Sequence, residues 1–398
     1  MASNWPTAAL GDVIDLFDFQ RVPLNSRQRQ ERKGRFPYYG AQGIIDHIDG
    51  YIFDGRYILV AEDGENLNSK KLPLALFATG KFWVNNHAHI LRGKQGIADD
   101  TFLLACLNNA DIKPFVTGAA QPKLSQGNLR LIEIPLPPLP IQQRIAGILS
   151  AYDELIENSQ RRIRILEAMA RALYREWFVH FRFPGAENHP RVASPLGEIP
   201  QGWEVKLVAD AIVISGGGTP SRKEDEYWVG GTIQWYSPSD LTRACTMFMD
   251  DSSDHITERG LSQSSARMFP ARSVMLTSRA TIGAIAINTQ PACTNQGFIT
   301  CLPNKRVPLY YLFHWLTENV PTFQRMASGA TFKEISRGVF KTIGFLQPPD
   351  EVVGQFENIA APMAEQVLAL HRQIQNLRRT RDLLLPRLLS GQIAVDAA

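Results

Sequence analysis

The sequence predicts an α+β protein in which two globular domains are joined by two long antiparallel helices forming a coiled coil, with a pseudo-twofold internal repeat. Three observations carry this prediction. A 21-residue segment recurs, each copy ends in a Pro-Pro pair, and about 40 residues of helical apolar spacing follow each pair. The first copy, GAAQPKLSQGNLRLIEIPLPP from Gly118, aligns without gaps on GATFKEISRGVFKTIGFLQPP from Gly329 at a constant offset of 211. Gly118, Ser125, Gly127, Pro137 and Pro138 recur as Gly329, Ser336, Gly338, Pro348 and Pro349. Upstream, an offset of 209 pairs Asn86 with Asn295, Ile90 with Ile299, and the run from Phe102 with that from Tyr311. A loop insertion of two residues accounts for the change.

Taken in order, residues 1–139 form the first domain, 140–183 the first helix, 184–202 a linker, 203–349 the second domain, 350–392 the second helix and 393–398 a tail. Each domain opens with polar, Gly-rich loops and continues with short β-patterned runs such as Arg56–Ala61 and Ser273–Ser278, bounded by Gly, Asn and Asp. Each then closes with one short helix. The stretch from His180 to Trp203 holds four prolines and three glycines, so it reads as the linker into the second domain.

The first helical seam runs Ile141, Ile145, Ile148, Tyr152, Leu155, Ser159, Ile163, Leu166, Ala170, Leu173 and Trp177, a heptad pattern with one four-residue stutter. The second runs Val352, Phe356, Ile359, Met363, Gln366, Leu370, Ile374, Leu377, Arg381, Leu384 and Leu388. Pro362 and Pro386 are expected to kink or shorten it. Such a helix is stable only when its seam is buried, and the repeat copy is the partner that a compact chain offers. Each helix capping its own domain, or pairing between chains, accounts for the same pattern.

Composition sets the outer bounds. At 398 residues, with 44% hydrophobic and 20% charged residues, the chain is too long for one small domain and too apolar for disorder. No apolar run approaches the ~18 residues of a membrane span, and the start lacks a signal-peptide pattern, so a cytoplasmic protein is expected. Cys106, Cys245, Cys293 and Cys301 form no CxxC pair, which suits reduced thiols and no bound metal. The net charge of +3 means that any polyanion must be met by local clusters.

Catalytic signals are sparse. Phe82 and Gln95 follow the two Gly-Lys pairs where a phosphate loop needs Ser or Thr. Gly216–Gly218 lacks the spacing of a dinucleotide site and reads as a tight turn. His87 and His89 have no third ligand suggested nearby and read as a polar surface pair. No catalytic residue is predicted.

Features suited to nucleic acid are present. Arg27, Arg29, Arg32, Lys33 and Arg35 place five cations in nine residues, followed by Tyr38, Tyr39 and Gln42. Cations neutralise phosphates, and amides, guanidinium groups and aromatics read base edges. Thr219, Ser221, Arg222 and Lys223 form the comparable loop of the second half, with Ser237, Ser239 and Asp240 beyond it. A solvated charged loop explains either stretch taken alone.

The order of these elements resembles the specificity subunit of type I restriction-modification systems over nearly the whole chain. The matching motifs are RKGRFPYYGAQG (Arg32–Gly43), VNNHAHIL (Val84–Leu91), IPLPPLPIQQRIAGIL (Ile134–Leu149), IPQGW (Ile199–Trp203), TSRATIGAIAI (Thr277–Ile287), TNQGF (Thr294–Phe298) and LLLPRLLSGQI (Leu383–Ile393). The resemblance implies two target recognition domains, each reading half of a bipartite double-stranded DNA target, with a helical spacer setting a separation on the order of one duplex turn, ~34 Å. It implies two methyltransferase subunits that bind S-adenosylmethionine, and restriction subunits that use ATP and magnesium, with no cofactor in this chain. A coiled-coil scaffold with protein-binding terminal domains is the rival reading.

On this basis the candidate DNA contacts are Arg32, Lys33, Arg35, Tyr38, Tyr39, Gln42, Lys70, Lys71, His87 and Lys123 in the first domain. In the second they are Thr219, Ser221, Arg222, Lys223, Ser239, Ser278, Arg279, Thr331 and Lys333. Candidate partner contacts on the helices are Gln142, Gln143, Arg144, Arg161, Arg164, Arg378 and Arg379.

Overall fold

The structure is a computed structural model that describes residues 5–118, 120–329 and 331–395. The chain divides into two compact units, Met1–Asn158 with Ile374–Ala398, and Ser159–Gln373. The division falls inside both long helices, so each unit holds one globular part and a portion of each helix.

In the first unit, six strands form one sheet: β1 (Ile14–Leu16), β2 (Lys33–Gly40), β3 (Gly43–Ile48), β4 (Phe53–Ala61), β5 (Ala75–Val84) and β6 (Ala88–Gly93), in the order β1-β6-β4-β5-β2-β3. All neighbours are antiparallel except β2 and β5, which run parallel with Tyr38 opposite Trp83. Helix α1 (Asp100–Asn109) packs on this sheet, capped by the Asp99 carboxylate on the N–H groups of Thr101 and Phe102. The N-terminal strand Thr7–Ala9 pairs antiparallel with Glu133–Pro135, immediately before the first Pro-Pro pair.

The second unit repeats this plan with one break. Its strands are β7 (Val213–Gly216), β8 (Ile233–Tyr236), β9 (Phe248–Met249), β10 (Asp254–Ile256), β11 (Val274–Thr277), β12 (Ile285–Asn288), β13 (Ala292–Thr294) and β14 (Phe298–Leu302). They form a five-stranded sheet, β7-β14-β11-β12-β9, and a three-stranded one, β10-β8-β13. Strand β8 runs parallel to β13 with Trp235 opposite Cys293, as β2 does to β5. The ten-residue β5 is therefore represented by two short strands, β12 and β13, separated by Thr289-Gln290-Pro291. Pro291 has no N–H to donate to a ladder. Helix α3 (Leu309–Met326) takes the place of α1, and Glu204–Leu207 pairs with Gly344–Gln347 before the second Pro-Pro pair.

Strand pairing places the offset of the β6/β14 stretch at 210 rather than 209. Val60 faces His89 and Leu276 faces Ile299 in the matching ladders. Asn85 and Asn295 make the same turn, each amide oxygen accepting a 2.8 Å hydrogen bond from the backbone N–H two residues on. The sequence alignment is one residue out because it matches the identical Asn86 and Ile90, rather than Asn85 and His89, to Asn295 and Ile299.

Helices α2 (Leu139–Tyr174) and α4 (Asp350–Leu389) contain 36 and 40 residues. In the first unit Ile145 and Leu149 of α2 share a core with Leu388 and Leu389 of α4, and Asp153 is salt-bridged to Arg381 at 2.5 Å. In the second unit Tyr174 packs edge-on to Phe356. The helices are thus antiparallel within each unit. Each buried aliphatic side chain contributes roughly 1.5 to 3 kcal/mol.

Two expectations about the helices need correction. The helix runs unbroken through Pro362 and Pro386. The buried seam departs from strict heptads: Leu155, Ile359 and Gln366 are exposed, while Ile156, Ala360 and Val367 are buried. The reason is that each helix packs on its own globular part as well as on its partner; Phe356, for example, meets His314 of α3 as well as Tyr174 of α2. Residues 184–202, read as the linker, carry ordered structure. Arg191–Ser194 and Gly197–Pro200 form an antiparallel hairpin, and Trp203 packs against Phe178, Phe181 and Phe183.

Each unit clamps the start of its helix with a glutamine amide. Gln142 donates to the carbonyls of Ile97 (3.0 Å) and Pro137 (2.8 Å) and accepts from Asp99 N–H (3.0 Å). Gln347 donates to Arg306 (2.9 Å), the repeat counterpart of Ile97, and to Pro348 (3.5 Å), the counterpart of Pro137. We expect Gln142→Leu to cost ~1–3 kcal/mol by leaving these buried groups unpaired, read as a lower urea midpoint.

Glu357 of α4 accepts from Tyr311 N–H (2.6 Å) in the first turn of α3, and burial pushes its carboxyl from 4.5 up to about 7 against the pull of the backbone N–H groups. An acid whose folded pKa is raised destabilises the fold as it ionises, so stability falls as pH rises from about 4.5 to about 7. Glu357→Gln should abolish this loss. Its stability gain over the parent should be small at pH 4.5 and reach up to ~3 kcal/mol at pH 8 in urea melts.

Candidate nucleic-acid interface

In each unit the end of a central strand, the Asn turn and the loop opening with the repeat glycine meet in one hydrogen-bonded frame. In the first unit Glu62 N–H donates to His87 O (2.9 Å), Leu124 N–H to Glu62 O (2.8 Å), and Thr117 and Lys123 exchange a backbone pair. In the second, Ser278 N–H donates to Gly297 O (2.8 Å), Ile335 N–H to Ser278 O (2.9 Å), and Ser328 and Glu334 exchange the pair. Asn85 and Asn295 hang from the carbonyls of Tyr39 and Tyr236 by 3.0 Å bonds. Gly118 and Gly329 both adopt positive φ, and a Cβ on either would collide with the carbonyl three residues on.

The side chains on this common frame differ. In the first unit His87 bonds Asp63 (2.6 Å) and Lys123 pairs with Glu62 (3.2 Å). Beneath them His89 is buried, contrary to its reading as a surface residue, with Nδ1 on Asp18 (2.6 Å) and Nε2 on Leu124 O (2.8 Å). Burial works to raise the Asp18 carboxyl, but the His89 hydrogen bond and charge, the Ile90 N–H and Arg21 hold it below the usual carboxylate range. Asp18, Glu62 and His89 bring ligand atoms within 4.8 Å of one another. Arg21 occupies that cluster, bonding Glu62 at 2.7 Å and approaching Asp18 at 3.4 Å, so it is a buried ion network.

In the second unit Thr219 donates to Gln296 (2.6 Å), and Arg279 lies 3.8 Å from Glu334. Lys333 and Thr331 are exposed on the loop, and Ala280 N–H donates to Lys333 O (3.0 Å). Ser278 is buried and contributes only backbone, so its side chain is withdrawn as a DNA contact. Ser239 is exposed and bonds Ser237 (2.8 Å) beside the buried Asp240. The Gly217 and Gly218 backbones press against Asn295 and Ser265, which explains the triple glycine as close approach.

The basic run of the first unit is largely neutralised by the fold. Arg32 pairs with Asp49 (2.9 Å) over the Trp83 ring, while Lys33 (2.5 Å) and Arg29 (3.3 Å) share Asp46. Hydrogen bonds from Lys33, His47 N–H and Arg29 hold the Asp46 carboxyl low. Arg35 has no carboxylate partner among the described residues and lies over Phe36. Gln42 is exposed in the β2–β3 turn, beside the exposed Ile44 and Ile45. Tyr38 is fully buried and bonded to Leu24, and so is corrected to a core residue. Tyr39 is half-buried edge-on to Phe82, and burial raises its hydroxyl.

Lys70 donates to Ala110 O (2.8 Å), and with Lys71 it lines a groove that also holds Leu149 and Arg381 of the long helices. These two lysines are therefore grouped with the helices rather than with the frame. In the second loop Ser221 accepts from Trp228 Nε1 (2.9 Å), Arg222 pairs with Asp254 (2.5 Å), and Lys223 is exposed. Sequence reasoning missed Trp228, Asp254, Glu62 and Arg21 as members of these sites. Only Gln296 carried a signal, inside the TNQGF motif.

A family model described as the type I restriction modification DNA specificity domain matches residues 2–168 and 200–374. The chain belongs to this family. The HindI specificity subunit of Haemophilus influenzae is 23% identical over 98% of this chain and 100% of its own length. The MjaIX specificity subunit of Methanocaldococcus jannaschii is 37% identical over 40% of this chain, a match that spans 37% of that relative. The crystal structure of the type I restriction-modification S subunit from M. genitalium shares the fold, with a TM-score of 0.66 and 15% identity over 97% of this chain and 96% of that one.

For this member of the specificity-domain family, the helix candidates divide. Gln142 is fully buried in its clamp and is corrected to a structural residue. Gln143, Arg144, Arg161, Arg164, Arg378 and Arg379 are exposed. Each unit also carries a groove, about 600 Å³ in the first and about 620 Å³ in the second. Leu104, Ala105 and Asn108 of α1 line one, and their repeat counterparts Phe313, His314 and Thr317 of α3 line the other. Among the described residues, no helix is long and apolar enough to cross a membrane.

Arg35→Ala should weaken duplex binding and reduce the slope of log affinity against log salt by ~0.9, the loss of one phosphate contact. Lys33→Ala should move the slope less, because its ammonium is already held by Asp46. Fluorescence anisotropy across a salt series would measure both.

Proposed function

We propose that this chain is the DNA-reading subunit of a type I restriction-modification complex, with residues 1–139 reading one half of a bipartite duplex target and 203–349 the other. The observation that carries this reading is one backbone frame built twice with different side chains upon it. His87 and Lys123 with their carboxylate partners stand on one copy; Gln296, Thr219, Arg279 and Lys333 stand on the other. A shared frame holds a duplex in the same way at both halves, while differing side chains allow two different base sequences to be read.

The two long helices set the distance between half-sites. They also carry two methyltransferase subunits, one for each repeat-related groove and its flanking Arg144, Arg161, Arg164, Arg378 and Arg379. S-adenosylmethionine belongs to those subunits, ATP and magnesium to the restriction subunits, and this chain supplies recognition without catalysis. The complex acts on cellular DNA, so the reading places it in the cytoplasm.

Exchange of residues 1–139 for those of a relative, followed by mapping of methylated sites, tests the proposal. One half of the recognised sequence should change and the other stay. A change in both halves defeats the assignment of one half-site to each domain, whereas specific binding that is absent at every salt concentration, even with the partner present, returns the chain to the scaffold reading.

A further inference from the structure

Comparison of the two units isolates one side chain. Tyr38 and Trp235 occupy the same place, each on the strand that runs parallel to its neighbour. Opposite each, on the antiparallel neighbour, stands an aspartate: Asp46 faces Tyr38 and Asp254 faces Trp235. In both units a guanidinium lies over the aromatic ring and is salt-bridged to that aspartate. Arg29 sits 5.3 Å from the Tyr38 ring centre and 3.3 Å from Asp46; Arg222 sits 5.0 Å from Trp235 and 2.5 Å from Asp254. The triad is thus duplicated, although its arginine comes from the short helix Ser26–Glu31 in one unit and from a loop in the other.

The two copies differ in what their donors have left to do. Arg29 is spent: Nε faces Asp46, Nη1 donates to Leu24 O (2.7 Å), Nη2 to Ser26 (3.3 Å), and the side chain is 20% exposed. Arg222 is 51% exposed, and only Nη2 is engaged. Among the described residues its Nε and Nη1 have no protein partner. A second ring, Trp228, lies 3.6 Å from the guanidinium carbon and fixes the plane of the fork. The loop below is pinned by Trp235 Nε1 on Gly218 O (3.0 Å), Trp228 Nε1 on Ser221 O (2.9 Å) and Thr219 on Gln296 (2.6 Å).

A guanidinium laid on the Trp228 ring and braced at Nη2 by one carboxylate has lost rotamer freedom before any ligand arrives, and the second Nη2 hydrogen, with its neighbour on Nε or Nη1, leaves one two-donor edge open. The base edge complementary to such a fork is guanine, whose O6 and N7 accept side by side in the major groove. We propose that Arg222 reads a guanine in the half-site taken by residues 203–349, with Asp254 and Trp228 as positioning residues. This inference rests on the proposed half-site assignment of that domain.

The test uses the full chain assembled with its methyltransferase partner and a duplex library randomised across both half-sites, from which bound molecules are recovered and sequenced. The parent should select guanine at one position of the second half-site. Arg222→Lys and Arg222→Ala should each lower that selection roughly 5- to 150-fold while every other position is kept. Asp254→Asn should lower it less. Arg29→Lys should reduce the melting temperature and leave both half-sites intact.

Absence of a guanine that depends on Arg222 overturns the proposal. So does a uniform loss of binding with the sequence preference unchanged, which would make Arg222 a phosphate anchor. Exchange of residues 203–349 in the same assay separates the two levels: if the exchange leaves the second half-site unaltered, the half-site assignment fails. If the exchange alters it but Arg222→Lys does not, only the present inference fails.

Discussion

A helix of 36 or 40 residues gains little from its own hydrogen bonds in water, and the architecture follows from where its apolar face is buried. Here each long helix is buried twice over, against the other helix and against the globular part of the unit it lies in. The second demand pulls the seam off heptad register, so that Ala360 and Val367 are buried where Ile359 and Gln366 were expected. Small alanines at such positions allow the backbone close to a second neighbour. The same demand explains the clamps. A helix that is to be held in one orientation must be fixed at its start, and Gln142 and Gln347 do this from different chain positions by bonding repeat-equivalent carbonyls.

Duplication has preserved backbone and released side chains. The frame that joins strand end, Asn turn and glycine loop is made of main-chain bonds, which are indifferent to sequence except where Gly118 and Gly329 need positive φ. Residues on the frame can therefore diverge without loss of fold. Glu62 in one unit corresponds to Ser278 in the other, and His89 to Ile299, so that a buried ion network in the first is a plain apolar and hydroxyl site in the second. The paired aromatic–arginine–aspartate triads show the same divergence, closed in the first unit and open in the second.

The charge distribution shows why candidate sites were only partly legible. Five cations in nine residues are visible in the sequence, but Asp46 and Asp49, which take three of them, lie on and just beyond a neighbouring strand whose register no local pattern reveals. Tyr38 looked like a base reader because it adjoins those cations, yet strand alternation and the parallel neighbour β5 turn it into the core. His89 is misread for the same reason: its partners Asp18 and Leu124 come from 71 and 35 residues away. Arg222 was legible as a candidate, but its bracing by Trp228 and Asp254 was not.

By itself the sequence determined the duplication, the two long helices and the class of fold, because those depend on periodicity and on glycine and proline chemistry that act locally along the chain. It also carried the family resemblance, through motifs in a given order. Tertiary structure alone decided which charges remain free, which aromatic rings are buried, and where the register of β6 against β14 falls. Those outcomes depend on pairings between strands and loops far apart in the chain, and each pairing is chosen by the burial and hydrogen bonding of the whole unit rather than by any short stretch of residues.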